Sequence, residues 1–280
     1  MKRLLKVIVG LFSTLLILAL VVQFLILLPI PGRHLQTKDY QKDYRYVDVP
    51  TILVPGWGGN TTTYRRMIKF YQNEHYAQKV MTVWVSPTGN IKTSGNYTGQ
   101  KNALIQILFN WNYNATYHPQ VAQLKNVLHL LHDKYHISTM NVIAHSYGGT
   151  EFMHAYMGDK TLQRNIQLNK LIFLGVPVEE SFGVKDKFVP DLRKKSTDKN
   201  FKQLEREMRE WQPQSKVTIY NVMGGSDESV PKIQSEMLQS LIAFHPHIEY
   251  HQVVVPHTSH FQLHSRQSIQ RRIANILWGR

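Results

Sequence analysis

At 280 residues, 42% apolar and 19% charged, the chain can bury a sizeable core and has the composition of an ordinary globular protein. It contains no cysteine, which excludes disulfides, thiolate metal sites and a cysteine nucleophile together. Its formal charge of +14 favours polyanions such as anionic lipid headgroups or wall polymers. No zinc-finger spacing or aromatic-glycine RNA-binding signature accompanies that charge, so nucleic acid is not an expected partner.

Residues 7–28 read VIVGLFSTLLILALVVQFLILL, with no charge and one strongly polar side chain, Gln23. At 1.5 Å per residue the run spans about 30 Å, the thickness of a bilayer core. Lys2, Arg3 and Lys6 precede it, so the positive-inside rule predicts a cytoplasmic N-terminus and an extracytoplasmic bulk. A cleaved signal peptide, leaving a secreted protein, is the rival. Its apolar stretch is usually shorter and ends in a small-x-small site, whereas this one ends Leu-Leu-Pro-Ile-Pro. The reading is a single-pass transmembrane anchor over 1–28, then a polar, proline-containing linker over 29–45.

From residue 46 onward short apolar runs alternate with helical patterns, which predicts a mostly parallel sheet with helices on both faces. Strands are expected at 51–54, 80–85, 103–109, 140–144, 170–178, 217–223 and 250–255. Helices are expected at 62–73, capped by Asn60 or Thr61, and at 120–135, 147–157, 201–211, 233–244 and 265–277. Residues 179–215 lack strand character and read as a cap insertion, mixing an apolar start (Phe182, Val184, Phe188, Val189) with a basic run (Arg193, Lys194, Lys195).

The stretch from Asn141 to Gly149, NVIAHSYGG, carries the most chemistry. A buried strand runs into a serine and straight into a helix. Such a turn is so tight that the residues two before and two after the serine must be small, and Ala144 and Gly148 meet that need. The pattern resembles the Ala-His-Ser-x-Gly-Gly elbow of some small bacterial lipases, with alanine where the strict motif has glycine. Ser146 is the expected nucleophile, in an α/β-hydrolase fold. After the first strand comes Pro-Gly-Trp-Gly-Gly, where the fold places an oxyanion loop. The matching backbone donors are Trp57 and, directly after the nucleophile, Tyr147. Pro55 stands where relatives usually carry histidine.

The fold orders its triad as serine, acid, histidine. The acid is expected after a late strand, where Asp227 sits in a Gly-Gly-Ser-Asp-Glu turn, with Glu228 the alternative. The base is expected between the last strand and last helix. His257, His260 and His264 compete there, and His260 lies mid-loop. Zinc binding by the three histidines finds no supporting carboxylate cluster, so neither metal nor cofactor is expected.

The anchor, the serine elbow and the Asp227-Glu-Ser-Val-Pro and His260-Phe-Gln-Leu-His segments together resemble the membrane-anchored cell-surface α/β hydrolases of Gram-positive bacteria, a group of unknown function. In that group Asp-Gly-x-Val-Pro and His-Ser-x-Leu-His segments supply acid and base, so the resemblance implies Asp227 and His260 for these roles. Glu228 and Phe261 depart from it. The implied activity is a carboxylesterase or lipase-like hydrolysis of a small-molecule or lipid ester. A peptidase or acyltransferase on the same fold, or a silent surface-binding module, are the alternatives.

Overall fold

The structure, a computed structural model, describes residues 2–280. A helix, α1 (Lys2–Ile26), precedes the domain and touches it only near its C-terminal end, through Gln23, and none of its residues is fully buried. It is the one described helix long and apolar enough to cross a membrane.

The domain is built on an eight-stranded sheet of order β3-β2-β4-β1-β5-β6-β7-β8. Its strands are β1 (Thr51–Val54), β2 (Gln78–Val85), β3 (Ile91–Gly95), β4 (Ala103–Phe109), β5 (Thr139–His145), β6 (Gln167–Leu174), β7 (Val217–Gly224) and β8 (Ile248–Val255). All pairings are parallel except that of β2 with β3. β1, β4 and β5 are central and almost fully buried, which is why they read as mostly apolar runs, interrupted by buried polar residues such as Gln106 and Asn141. β3 went unrecognised because Ile-Lys-Thr-Ser-Gly is an exposed edge strand with little apolar character.

The helices are α2 (Thr61–Asn73), α3 (His118–Tyr135), α4 (Tyr147–Met157), α5 (Lys160–Asn165), α6 (Lys199–Glu210), α7 (Lys232–Glu236), α8 (Leu238–Ile242), α9 (Gln262–Ser265) and α10 (Gln267–Trp278). They cover both faces of the sheet. Tyr64, Tyr71, Ile273 and Trp278 of α2 and α10 pack on one face with Leu53 and Ile143. Leu128 of α3, Phe152 of α4, Phe201 and Met208 of α6 and Leu241 of α8 pack on the other with Val54 and Val142. Asn60 caps α2 by accepting from the Thr62 amide at 2.9 Å.

Three expectations are revised. The strand expected over 170–178 stops at Leu174, because the backbone turns at Gly175 with φ of +59°. The helix expected over 233–244 is two short helices meeting at Met237. Residues 29–45 do not hang free as a linker. Ile30, Leu35 and Tyr44 are buried, Lys79 Nζ donates to the Ile30 carbonyl at 2.9 Å, and Tyr44 bridges to Gly279. Burial of that ammonium lowers the Lys79 pKa to about 8. Within 179–215, α6 is sunk into the core through Phe201, Leu204 and Met208, with the following Trp211 fully buried. The buried Glu179 carboxylate secures the start of the segment by accepting from the amides of Ser181 and Phe182 and the Ser196 hydroxyl. Only the stretch around Val184, 86% exposed, and Val189 presents apolar surface to solvent.

Candidate active site

A parallel sheet gathers the ends of its strands, and hence the loops that follow them, on one edge. Ser146 follows β5, Gly56 follows β1, Gly175 follows β6, Asp227 follows β7 and His260 follows β8. The sequence-predicted site residues therefore meet for a topological reason.

Ser146 occupies the turn between β5 and α4 with φ of 55° and ψ of −138°. Non-glycine residues avoid that region, at a cost of about 1–3 kcal/mol, so it persists only where the surroundings enforce it. The enforcing contacts are visible. The Ser146 amide donates to the Leu174 carbonyl at 3.0 Å. A Cβ on Gly148 would lie 2.5 Å from the Pro55 carbonyl oxygen, so only glycine lets α4 approach the loop after β1. The Gly56 backbone in turn lies directly against Ser146.

The loop after β1 is held by an asparagine that the sequence did not single out. Buried Asn112 donates through Nδ2 to the Gly56 carbonyl at 2.7 Å and the Gly59 carbonyl at 3.1 Å, and accepts through its own carbonyl from Gly58 at 2.6 Å. Among the described residues neither the Trp57 nor the Tyr147 backbone N–H has a protein acceptor. Both residues line the cavity that contains Ser146, and the α4 N-terminus adds its positive dipole end there.

His260 and Asp227 are hydrogen-bonded, Nδ1 to Oδ2, at 2.8 Å. The Asp227 side chain is 4% exposed. Its other oxygen accepts from the amides of Ser229 at 3.0 Å and Val230 at 2.9 Å, which pins the carboxylate plane. The Ser226 amide donates to the Thr258 carbonyl at 3.0 Å, coupling the acid turn to the histidine loop. Gly175 sits beneath the pair: a Cβ there would be 3.0 Å from both Asp227 Oδ2 and His260 Nδ1. Glu228 and His257 are exposed and have no part in this pairing. Among the described residues no hydrogen bond joins Ser146 Oγ to His260, although both line one cavity of about 320 Å³ with Pro177, Glu180 and Val230. Such bonds are commonly loose without substrate.

Two further histidines lie behind His260. The ring of His145 packs tilted against His260 at 4.4 Å and edge-on against His264 at 4.5 Å, and its Nε2–H donates to the His260 carbonyl at 3.2 Å. Burial drives the pKa of His145 well down, and lowers that of His264 to about 4, so both are neutral supports near pH 7. Glu180, also missed in the sequence, hydrogen-bonds the Tyr147 hydroxyl, and burial raises its pKa. It separates the serine cavity from a second of about 250 Å³, lined by Trp57, Asn114, Tyr117 and Asn200. The two recesses share Trp57, Tyr147 and Glu180, and only the first is lined by Ser146. A larger recess of about 690 Å³ opens at the opposite edge of the sheet, beside Tyr97 and Tyr135, away from any of these groups.

The sequence matches the family described as alpha/beta hydrolase of unknown function (DUF915) over residues 38–280. No curated protein matches it. Among solved structures, the lin2722 gene product of Listeria innocua is similar with a TM-score of 0.67 and 23% identity, covering 82% of this chain and 93% of that one. A protein from Lactobacillus plantarum described as a cell surface hydrolase gives a TM-score of 0.65 at 19% identity, covering 82% and 89%. At these identities the likeness is one of fold.

Proposed function

The chain belongs to this family of α/β hydrolases, and from that premise we propose that it is a serine hydrolase of carboxylesters, acting through Ser146, His260 and Asp227. The observation that carries the reading is the pinned 2.8 Å His260–Asp227 bond lining one cavity with a serine held at φ of 55°. With Nδ1–H committed to Asp227, His260 keeps Nε2 free to accept the Ser146 proton as Oγ attacks the ester carbonyl. The Trp57 and Tyr147 amides hold the tetrahedral oxyanion. The imidazolium then returns its proton to the departing alkoxide, which leaves as the alcohol. Water, deprotonated by the same nitrogen, hydrolyses the acyl-serine and frees the acid.

In the same reading 1–28 is a retained anchor and 46–280 the catalytic domain at the outer face of the membrane. The basic flank before α1, its length and apolarity, and the likeness to a cell surface hydrolase support this. Residues 179–215 form the side wall of the site through Glu180 and Asn200.

The test is fluorophosphonate labelling with a chain-length series of p-nitrophenyl esters. Wild type should be labelled and turn over ester, and Ser146→Ala should lose both while remaining folded. A labelled or equally active Ser146→Ala protein would refute the assignment. Protease added to intact cells should remove the domain; survival until lysis would reverse the orientation.

A further inference from the structure

Gln23 is the polar exception in an apolar run, and its partner is informative. Its Nε2 donates to the Asn110 carbonyl at 2.6 Å, at the end of β4. Two backbone carbonyls just past the end of α1 also accept from the domain. Trp84 Nε1, at the end of β2, donates to Leu27 at 3.0 Å, and Thr61 Oγ1, at the start of α2, donates to Leu28 at 2.8 Å. All three partners lie on the edge of the sheet that carries Ser146. The helix therefore leaves the domain from its active-site edge.

The residue after Asn110 is Trp111, 49% exposed. It packs edge-on against Tyr113 at 5.5 Å, and Tyr113 packs likewise against Trp57 at 5.6 Å. Trp57 and Tyr113 are 58% and 41% exposed. This makes a continuous, solvent-facing aromatic rim from the end of the anchor to the loop that supplies an oxyanion donor. Such amphipathic rings are what the headgroup level of a bilayer selects.

Depth agrees. Gln23 lies three residues before the end of α1, about 4.5 Å along the axis. Counted from Val7, a hydrocarbon core of about 30 Å ends near residue 27. The Asn110 carbonyl is thus within about one helical turn of the boundary.

We propose that Trp57, Trp111 and Tyr113 sit in the interface of the same bilayer that α1 crosses, so that the Ser146 cavity opens onto the membrane surface and takes an amphiphilic ester directly from the lipid phase. This rests on the hydrolase reading for the substrate and on α1 spanning the bilayer for the orientation.

The chain has no cysteine, so one introduced cysteine carries one label. In full-length protein reconstituted into phosphatidylcholine vesicles, a polarity-sensitive fluorophore on Trp111→Cys is expected to be quenched by a headgroup-level nitroxide lipid. The same label on Lys134→Cys, at the far end of α3, is expected to stay in water. A label at 111 as hydrated as that at 134 overturns the proposal. Trp111→Ala should lower hydrolysis of a long-chain ester dissolved in the vesicles about tenfold, and that of soluble p-nitrophenyl butyrate by less than about twofold. Equal loss on both substrates, or none on either, also overturns it. If the wild type cleaves neither ester while the label at 111 is quenched, the hydrolase reading fails and the orientation holds. If it cleaves the soluble ester with the label at 111 in water, the orientation alone fails.

Discussion

Asp227→Asn tests the proposed triad most sharply, because the surroundings dictate how the new amide must sit. In the native protein Oδ1 accepts from two backbone amides, of Ser229 and Val230, and Oδ2 accepts from His260 at 2.8 Å. An asparagine must keep its oxygen toward the two amides, since turning its NH2 to them would oppose donor to donor in a site 4% exposed. Its nitrogen then faces His260 Nδ1 and donates to it. That drives the ring proton to Nε2, the atom that must accept from Ser146. The geometry survives and the tautomer is wrong, which in a serine triad removes about 10⁴ in kcat, or about 5.5 kcal/mol of transition-state stabilisation. Steady-state hydrolysis of p-nitrophenyl butyrate measures kcat, and thermal unfolding should show little change, because the pair is replaced by an isostere. Glu228→Gln, altering an exposed neighbour, is the control and should retain wild-type rates. If Asp227→Asn keeps more than about a tenth of the activity, His260 does not depend on Asp227 and the triad as drawn is refuted.

Ser146→Gly should abolish activity yet raise stability by about 1 kcal/mol, or about 2–4 °C in Tm, because glycine adopts φ of 55° and ψ of −138° without strain; a lower Tm than wild type would show that the elbow is unstrained. Gly175→Ala puts a methyl 3.0 Å from both Asp227 Oδ2 and His260 Nδ1 at a φ of +59°. It should cost about 10- to 100-fold in kcat and about 1 kcal/mol in stability, read by kinetics and melting. His264 is held neutral by burial with a pKa near 4 against its ordinary 6.5, so the unfolded chain protonates first. Stability should therefore fall as pH drops from about 6.5 to 4, by up to about 3 kcal/mol from this group, and His145 adds to the loss in the same direction. Melting curves across that range should flatten in His264→Gln; an unchanged slope would mean the drop belongs to other groups.

Local chemistry made much of this protein readable in one dimension. An apolar run of membrane length, buried parallel strands and a serine turn flanked by small residues each depend on neighbours a few positions away. So do Asn60 as a cap and the two glycine-rich turns, and the fold's strand order then narrows the candidate acid and base to a few positions. What the sequence left open is what depends on distant segments meeting. Among three histidines in one loop, only packing distinguishes His260, facing Asp227, from His264, buried against His145, and from the exposed His257. Asn112 and Gly175 looked ordinary because their partners, Gly56 and the His260–Asp227 pair, are far away in the chain. The stretch 29–45 is polar enough to read as a tether, yet Lys79, Gln72 and Gln78 satisfy its backbone and bind it to the domain. Gln23 is the one strongly polar side chain of the apolar run, and only tertiary structure supplies Asn110 as its partner. Hydrophobic periodicity records which face of an element is buried, but not which remote polar group waits there.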